Sequence, residues 1–180
     1  MKIYTKVGDG GNTFLSGGKK TRKDDPVIEA LGDVDELNAA VGLVRALLDG
    51  APPAGTLEEA QKNLFVLGAD LAADPKKTSP RITPLHARWA EKEIDALEAS
   101  LPPLRNFILP GGAPAGAALH LARAVCRRAE RRVVALLKKK RASKDAQIFL
   151  NRLSDLLFLL ARDADRRAGK AETPWLPAQP

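Results

Sequence analysis

From residue 26 to residue 167 apolar side chains return every three or four positions, interrupted only where glycine and proline gather. That spacing places them on one face of a helix and leaves few folds open other than packed helices. In the stretch DDPVIEALGDVDELNAAVGLVRALL, Val27, Leu31, Val34, Leu37, Val41 and Val44 form the stripe, Asp25 suits an N-cap and Pro26 a first turn. GAPPAG ends this first helix. Thr56 followed by Glu59 reads as the capping box of a second, running to about Ala73. Thr83 and Pro84 open a third, to about Ala99. A fourth is expected over residues 115–141 and a fifth from Lys144 to Arg167, with Ser143 as its cap. The expected fold is all-α: an up-and-down bundle of five helices over 26–168, preceded by an irregular N-terminal segment (1–25) and followed by an irregular tail (169–180), as one domain.

Between the third and fourth helices, LPPLRNFILPGGAPAG is too rich in proline and glycine to be regular and too apolar for a casual surface loop. It covers something, or is covered.

A chain of 180 residues with 44% hydrophobic content can bury a real core. No apolar run reaches the ~18 residues a membrane helix needs, and MKIYTKVGDG lacks the apolar region of a secretory signal. The expectation is therefore a cytoplasmic protein with no membrane partner. The single cysteine, Cys126, excludes an internal disulfide framework, and two histidines supply a His/Cys metal site poorly. Any metal would be a hard cation arriving with a nucleotide. The net charge of +7 calls for an anionic partner or a solvated basic surface. With aromatics at 4% and none interleaved with the basic runs, base-stacking on single strands is not expected.

The fourth helix narrows the choice. At 100° per residue Ala122, Val125, Cys126, Ala129, Val133, Leu136 and Leu137 share one apolar sector. On the other side His120, Arg123, Arg127, Glu130 and Arg131 gather in a strip ~100° wide. Arginines at i, i+4 and i+8 repel one another slightly in water, so helix stability does not favour them. A polyanion reverses the sign, and the planar guanidinium fork suits phosphate oxygens. The competing reading is a surface helix whose acids come from a partner helix, in this chain or across an oligomer interface; Asp33, Asp35 and Glu36 are the candidates. In the fifth helix Asn151, Ser154, Asp155 and Arg162 share a second polar stripe.

The N-terminal stretch YTKVGDGGNT has glycines that let backbone N–H groups approach an anion, and it reads equally as a hairpin turn. It is no Walker loop. In GGNTFLSGGKKT, Lys19 is followed by Lys20 rather than Ser or Thr, and Thr13 stands in the place of the first glycine.

Taken in order, TKVGDGG, RKDD, GDVDELN, FILPGG, LHLARAVCRRAERRV and NRLSDLLFLLAR resemble the PduO-type ATP:cob(I)alamin adenosyltransferases, over about residues 3 to 176. The resemblance implies a homotrimer with its sites between subunits. It implies ATP and cob(I)alamin as substrates, Mg²⁺ with the nucleotide, and transfer of the 5′-deoxyadenosyl group to cobalt with release of triphosphate. It further implies that Thr5, Lys6, Val7, Gly8, Asn12, Thr13 and Lys23 wrap the nucleotide. Arg127, Arg128, Ala129, Glu130, Arg131 and Asn151 would complete that pocket, Glu130 being the one candidate to touch the metal. Arg123 resembles an arginine that pairs across the interface with Asp35, and Phe107 an aromatic lying under the corrin that excludes the lower axial ligand. A reductase and a B12-dependent acceptor enzyme are the implied protein partners, with no nucleic acid. Two other classes stay open: a basic module docking on nucleic-acid backbones, with steep salt dependence, and a trimeric scaffold that binds no ATP.

Overall fold

Asp25 starts the helical part of the chain. Its carboxylate accepts the Val27 N–H at 2.8 Å, Pro26 occupies the first turn, and helix α1 runs Pro26–Leu48. The computed structural model describes residue 4, residues 6–74 and residues 78–176. Within them α2 spans Ala54–Ala72, α3 Pro84–Glu98, α4 Pro114–Lys138 and α5 Lys144–Arg167. The fifth helix falls where periodicity places it, and Ser143 caps it by accepting the Ala146 N–H at 3.1 Å.

Helix α4 is central. It packs against α1 on one side and α5 on the other, with α2 laid on α1 and α3 on α5. The expected apolar sectors form the core: Leu37, Val41, Leu64, Leu67, Cys126, Val133 and Leu157 are each fully buried, and Phe149 is the largest side chain among those without exposure. Cys126 donates its S–H to the Leu150 carbonyl, and burial pushes its thiol pKa up, so packing is its role.

Three local expectations need correction. The chain is not purely helical: Asn12–Phe14 (β1) and Lys20–Arg22 (β2) form an antiparallel hairpin within the N-terminal segment. Thr56 does not cap α2, which begins earlier at Ala54; its hydroxyl donates to Glu93 on α3 instead. Helix α4 stops short of Arg141, because Lys140 turns into the left-handed region at φ 56°. Arg141 then folds back to Asp25 at 3.0 Å, tying the end of α4 to the start of α1. Thr83 and Pro84 open α3 as expected, and Thr83 makes a capping box with His86, its own N–H donating to His86 Nδ1 at 3.1 Å.

Candidate active site: an unpaired arginine row and a braced loop

Helix α4 carries two rows of arginine about a quarter-turn apart, and their circumstances differ. Arg128 and Arg132 face α1. Arg128 bonds Asp33 at 3.2 Å and also Glu36, while Arg132 pairs with Glu29 at 3.0 Å. The hydrogen bond that Arg128 donates to Glu36 holds the guanidinium pKa above its ordinary value. Arg123, Arg127 and Arg131 form the other row, and among the described residues none of them makes an ion pair. Arg123 has its Nε buried without a hydrogen-bond partner.

Part of this unpaired row opens on a groove of about 680 Å³ between α3, α4 and α5. Arg123 and Arg127 line it together with Arg152, Asp155, Phe158 and Leu104. Burial raises the pKa of Asp155, against the pull of Arg152 and Arg127. Arg152 is itself occupied, donating to Glu91 at 2.9 Å and to Asn151 at 2.8 Å. Asn151 in turn donates to Glu130 at 3.3 Å, so these two expected site residues meet.

Other expected residues are placed differently. Ala129 is fully buried in the core, since it lies in the apolar sector, and offers no surface. His120 was expected on the polar strip and is buried at the edge of α4, its ring 6.0 Å from Phe158. Burial lowers its pKa, as does Arg123, while Asp165 and Glu172 act the other way. Ser154 and Arg162 are buried too, although their stripe reads as polar.

Asp35 is exposed and lies on the far side of α1 from Asp33, since two residues turn a helix by ~200°. The acids that reach α4 are Glu29, Asp33 and Glu36. No contact joins Asp35 to Arg123 within the described residues of one chain.

In the N-terminal segment Lys6 has φ 59° and Gly11 φ 75°, and the turns close through Asp9 N–H to the Lys6 carbonyl and Gly11 N–H to the Gly8 carbonyl. Lys23 folds over Gly8: a Cβ there would meet its ammonium nitrogen at 3.1 Å. Thus Gly8 and Lys23 are brought together with Asn12 and Thr13 of β1. Thr5 lies outside the described residues. Among those residues no hydrogen bond or ion pair links this segment to the unpaired arginine row.

Phe107 lies on the loop before α4 and is 78% exposed. The tail crosses this loop: Trp175 N–H donates to the Phe107 carbonyl at 2.7 Å and Leu109 N–H to the Thr173 carbonyl at 2.9 Å. Sequence reading missed the residues that make this arrangement. Asp165, in RDADRR, looks like part of a solvated helix end, yet it is buried. The one available signal was the pair of glycines in GGAPAG: a Cβ at Gly112 or Gly116 would overlap the Asp165 carboxylate.

With this geometry in place, the comparisons are specific. A family model described as cobalamin adenosyltransferase matches residues 3–164. The chain is 43% identical over 179 residues to a corrinoid adenosyltransferase of Bacillus subtilis, covering 97% of this chain and 92% of that one. It is 41% identical to the human corrinoid adenosyltransferase MMAB, covering 99% of this chain and 75% of the relative. Among solved structures, a phenylalanine-to-histidine variant of a PduO-type ATP:corrinoid adenosyltransferase from Lactobacillus reuteri, complexed with cobalamin and ATP, superposes with a TM-score of 0.93 at 38% identity, covering 99% and 98% of the two chains. An arginine-to-lysine variant complexed with ATP gives 0.90, covering 97% of this chain and all of the other.

Proposed function

The chain belongs to the cobalamin adenosyltransferase family, and from that premise we propose that it transfers the 5′-deoxyadenosyl group of ATP to the cobalt of a reduced corrinoid. The observation that carries this reading within the molecule is the unpaired row of Arg123, Arg127 and Arg131 beside a row whose charges are already neutralised. Three like charges held one turn apart on one helix face, two of them on the groove wall and none held in an ion pair among the described residues, are arranged for a polyanion.

Cobalt(I) is the nucleophile and needs no activation by a side chain. Its electron pair forms the Co–C5′ bond, and the C5′–O bond breaks with its pair leaving on triphosphate. The protein contributes position and neutralises charge growing on the leaving group. Arg127 and Arg131 take that role, with Glu130 and Asn151 beside them. Lys6, Val7, Gly8, Asn12, Thr13 and Lys23 form the nucleotide clamp, with Thr5 next in the chain. Arg128 serves mainly to hold α4 on α1, because two acids already occupy it. No group of three metal-binding side chains occurs among the described residues, so Mg²⁺ is held by the phosphates with Glu130 as the available carboxylate.

Among the described residues no hydrogen bond or ion pair joins the clamp to the arginine row, and neither Arg123 nor Asp35 has an ion-pair partner. Both facts favour a homotrimer in which neighbouring subunits complete the site, with Arg123 pairing to the neighbour's Asp35. Phe107 lies under the corrin and excludes the lower axial ligand, which makes cobalt easier to reduce. Among the described residues no helix is long and apolar enough to cross a membrane. We place the enzyme in the cytoplasm, served by a reductase and delivering to a B12-dependent acceptor. The decisive assay mixes protein, ATP, Mg²⁺ and chemically reduced cobalamin, and follows loss of the Co(I) absorption with release of triphosphate. ATP-independent, steeply salt-sensitive duplex binding with no such turnover would put nucleic-acid docking in its place.

A further inference from the structure

We propose that Asp165 and Arg162, together with the strap of residues 170–176, are positioning elements that hold the loop carrying Phe107. The proposal rests on the reading that Phe107 lies under the corrin.

The side chain of Phe107 is largely exposed, so its place is set by its own backbone. That backbone is held by a short antiparallel bridge, Ile108 against Pro174, flanked by the bonds from Trp175 to Phe107 and from Leu109 to Thr173. A bridge this short does not stand alone in water. Its two sides are tied to the last turns of α5 by two residues three apart, which therefore share a face. The Arg162 guanidinium donates to the Pro102 carbonyl at 2.8 Å and to the Glu172 carboxylate at 2.5 Å, spanning the loop's entry and the strap. The Asp165 carboxylate accepts the Ala113 N–H at 2.8 Å where the loop runs into α4, and its carbonyl accepts the Lys170 N–H at 2.8 Å where the strap begins.

Both charged side chains are about 5% exposed. Burying them costs more than an apolar pair would, so a role in placing the loop accounts for them better than bundle stability does. Gly112, at φ +104°, and Gly116 leave the space the carboxylate occupies. Loop entry, loop exit and strap thus converge on one rigid helix, and the unconstrained end of the assembly is the Phe107 ring.

The test compares Trp175→Ala, which keeps the backbone donor, with Trp175→Pro, which removes it on an exposed segment outside the bundle. Each is incubated with ATP and cob(II)alamin; the fraction of four-coordinate Co(II) is read by electron paramagnetic resonance, alongside kcat, KM for ATP and the melting temperature. Trp175→Pro is expected to lose most of the four-coordinate signal relative to Trp175→Ala and about tenfold or more in kcat, with KM for ATP unchanged. Asp165→Ala is expected to lose more of the signal than Asp165→Asn, which retains an acceptor for Ala113. Equal signals from the two Trp175 variants would overturn the proposal. Phe107→Ala separates the two levels: a signal equal to wild type there would sink the corrin placement itself, while a lost signal there with indifferent Trp175 variants would sink the strap alone.

Discussion

Arg127 and Arg128 are neighbours in sequence and opposites in circumstance. One faces a groove with no ion-pair partner among the described residues, and the other is shared between Asp33 and Glu36. Arg127→Ala is expected to lower kcat by about a hundredfold or more, the cost of removing one charged donor from a leaving group, while the fold is kept. Steady-state kinetics with far-ultraviolet circular dichroism checks both halves. His120 makes a separate prediction. Its folded pKa lies below the ordinary 6.5, so the unfolded chain takes up the proton first as pH falls, and stability drops with pH below about 6.5 until the folded ring also titrates. His120→Gln should therefore flatten the decline in melting temperature between about pH 7.5 and 5.5. An unchanged slope would assign that decline to other groups. Helical spacing put Arg127 on the polar strip and Arg128 off it, but nothing in the sequence identified their partners or marked His120 as buried. Each depends on which helix packs against which face of α4.

Among the elements, α1 and α4 show how a local signal is kept or overruled. Asp25 caps α1 as its sequence suggests, and the bond to Val27 N–H, more than the pairing to Arg141, holds its pKa below the usual carboxylate value. Its contribution to stability is present at neutral pH and is lost as pH falls through that lowered pKa. Asp25→Ala should cost about 1 kcal/mol in chemical denaturation near neutrality, and the difference from wild type should close in strong acid. In α4 the usual expectation is reversed. Replacing glycine by alanine inside a helix ordinarily stabilises by about 0.5–1 kcal/mol, but at Gly116 the added methyl would overlap the Asp165 carboxylate. Gly116→Ala is therefore expected to lower the melting temperature, and a rise would show that the carboxylate can move aside. The capping box expected at Thr56 failed for a related reason: a motif of two residues is local, whereas the start of α2 at Ala54 and the bond to Glu93 are set by neighbours.

For the whole molecule, the exposed Asp35 and the buried, unpartnered Nε of Arg123 predict assembly. Light scattering should give three times the 19.3 kDa of one chain. Arg123→Asp and Asp35→Arg should each weaken the trimer and the activity, and the double exchange should restore part of both; independent losses would rule out the pairing. How much of this could be read from the sequence follows from what each feature depends on. Apolar residues returning every three or four positions specify helices wherever they occur, because a helix puts those positions on one side and water drives that side together. So the five helices, their core residues and the strip of arginines on α4 were determined by the sequence alone. The partners of those arginines were not, because an ion pair depends on the register of α1 against α4, which no local pattern encodes. Nor was the burial of Arg162 and Asp165, which read as the polar end of a helix until the loop before α4 and the tail close over them. That choice belonged to the tertiary structure: distant segments bring the backbone donors and acceptors that make a buried charge tolerable.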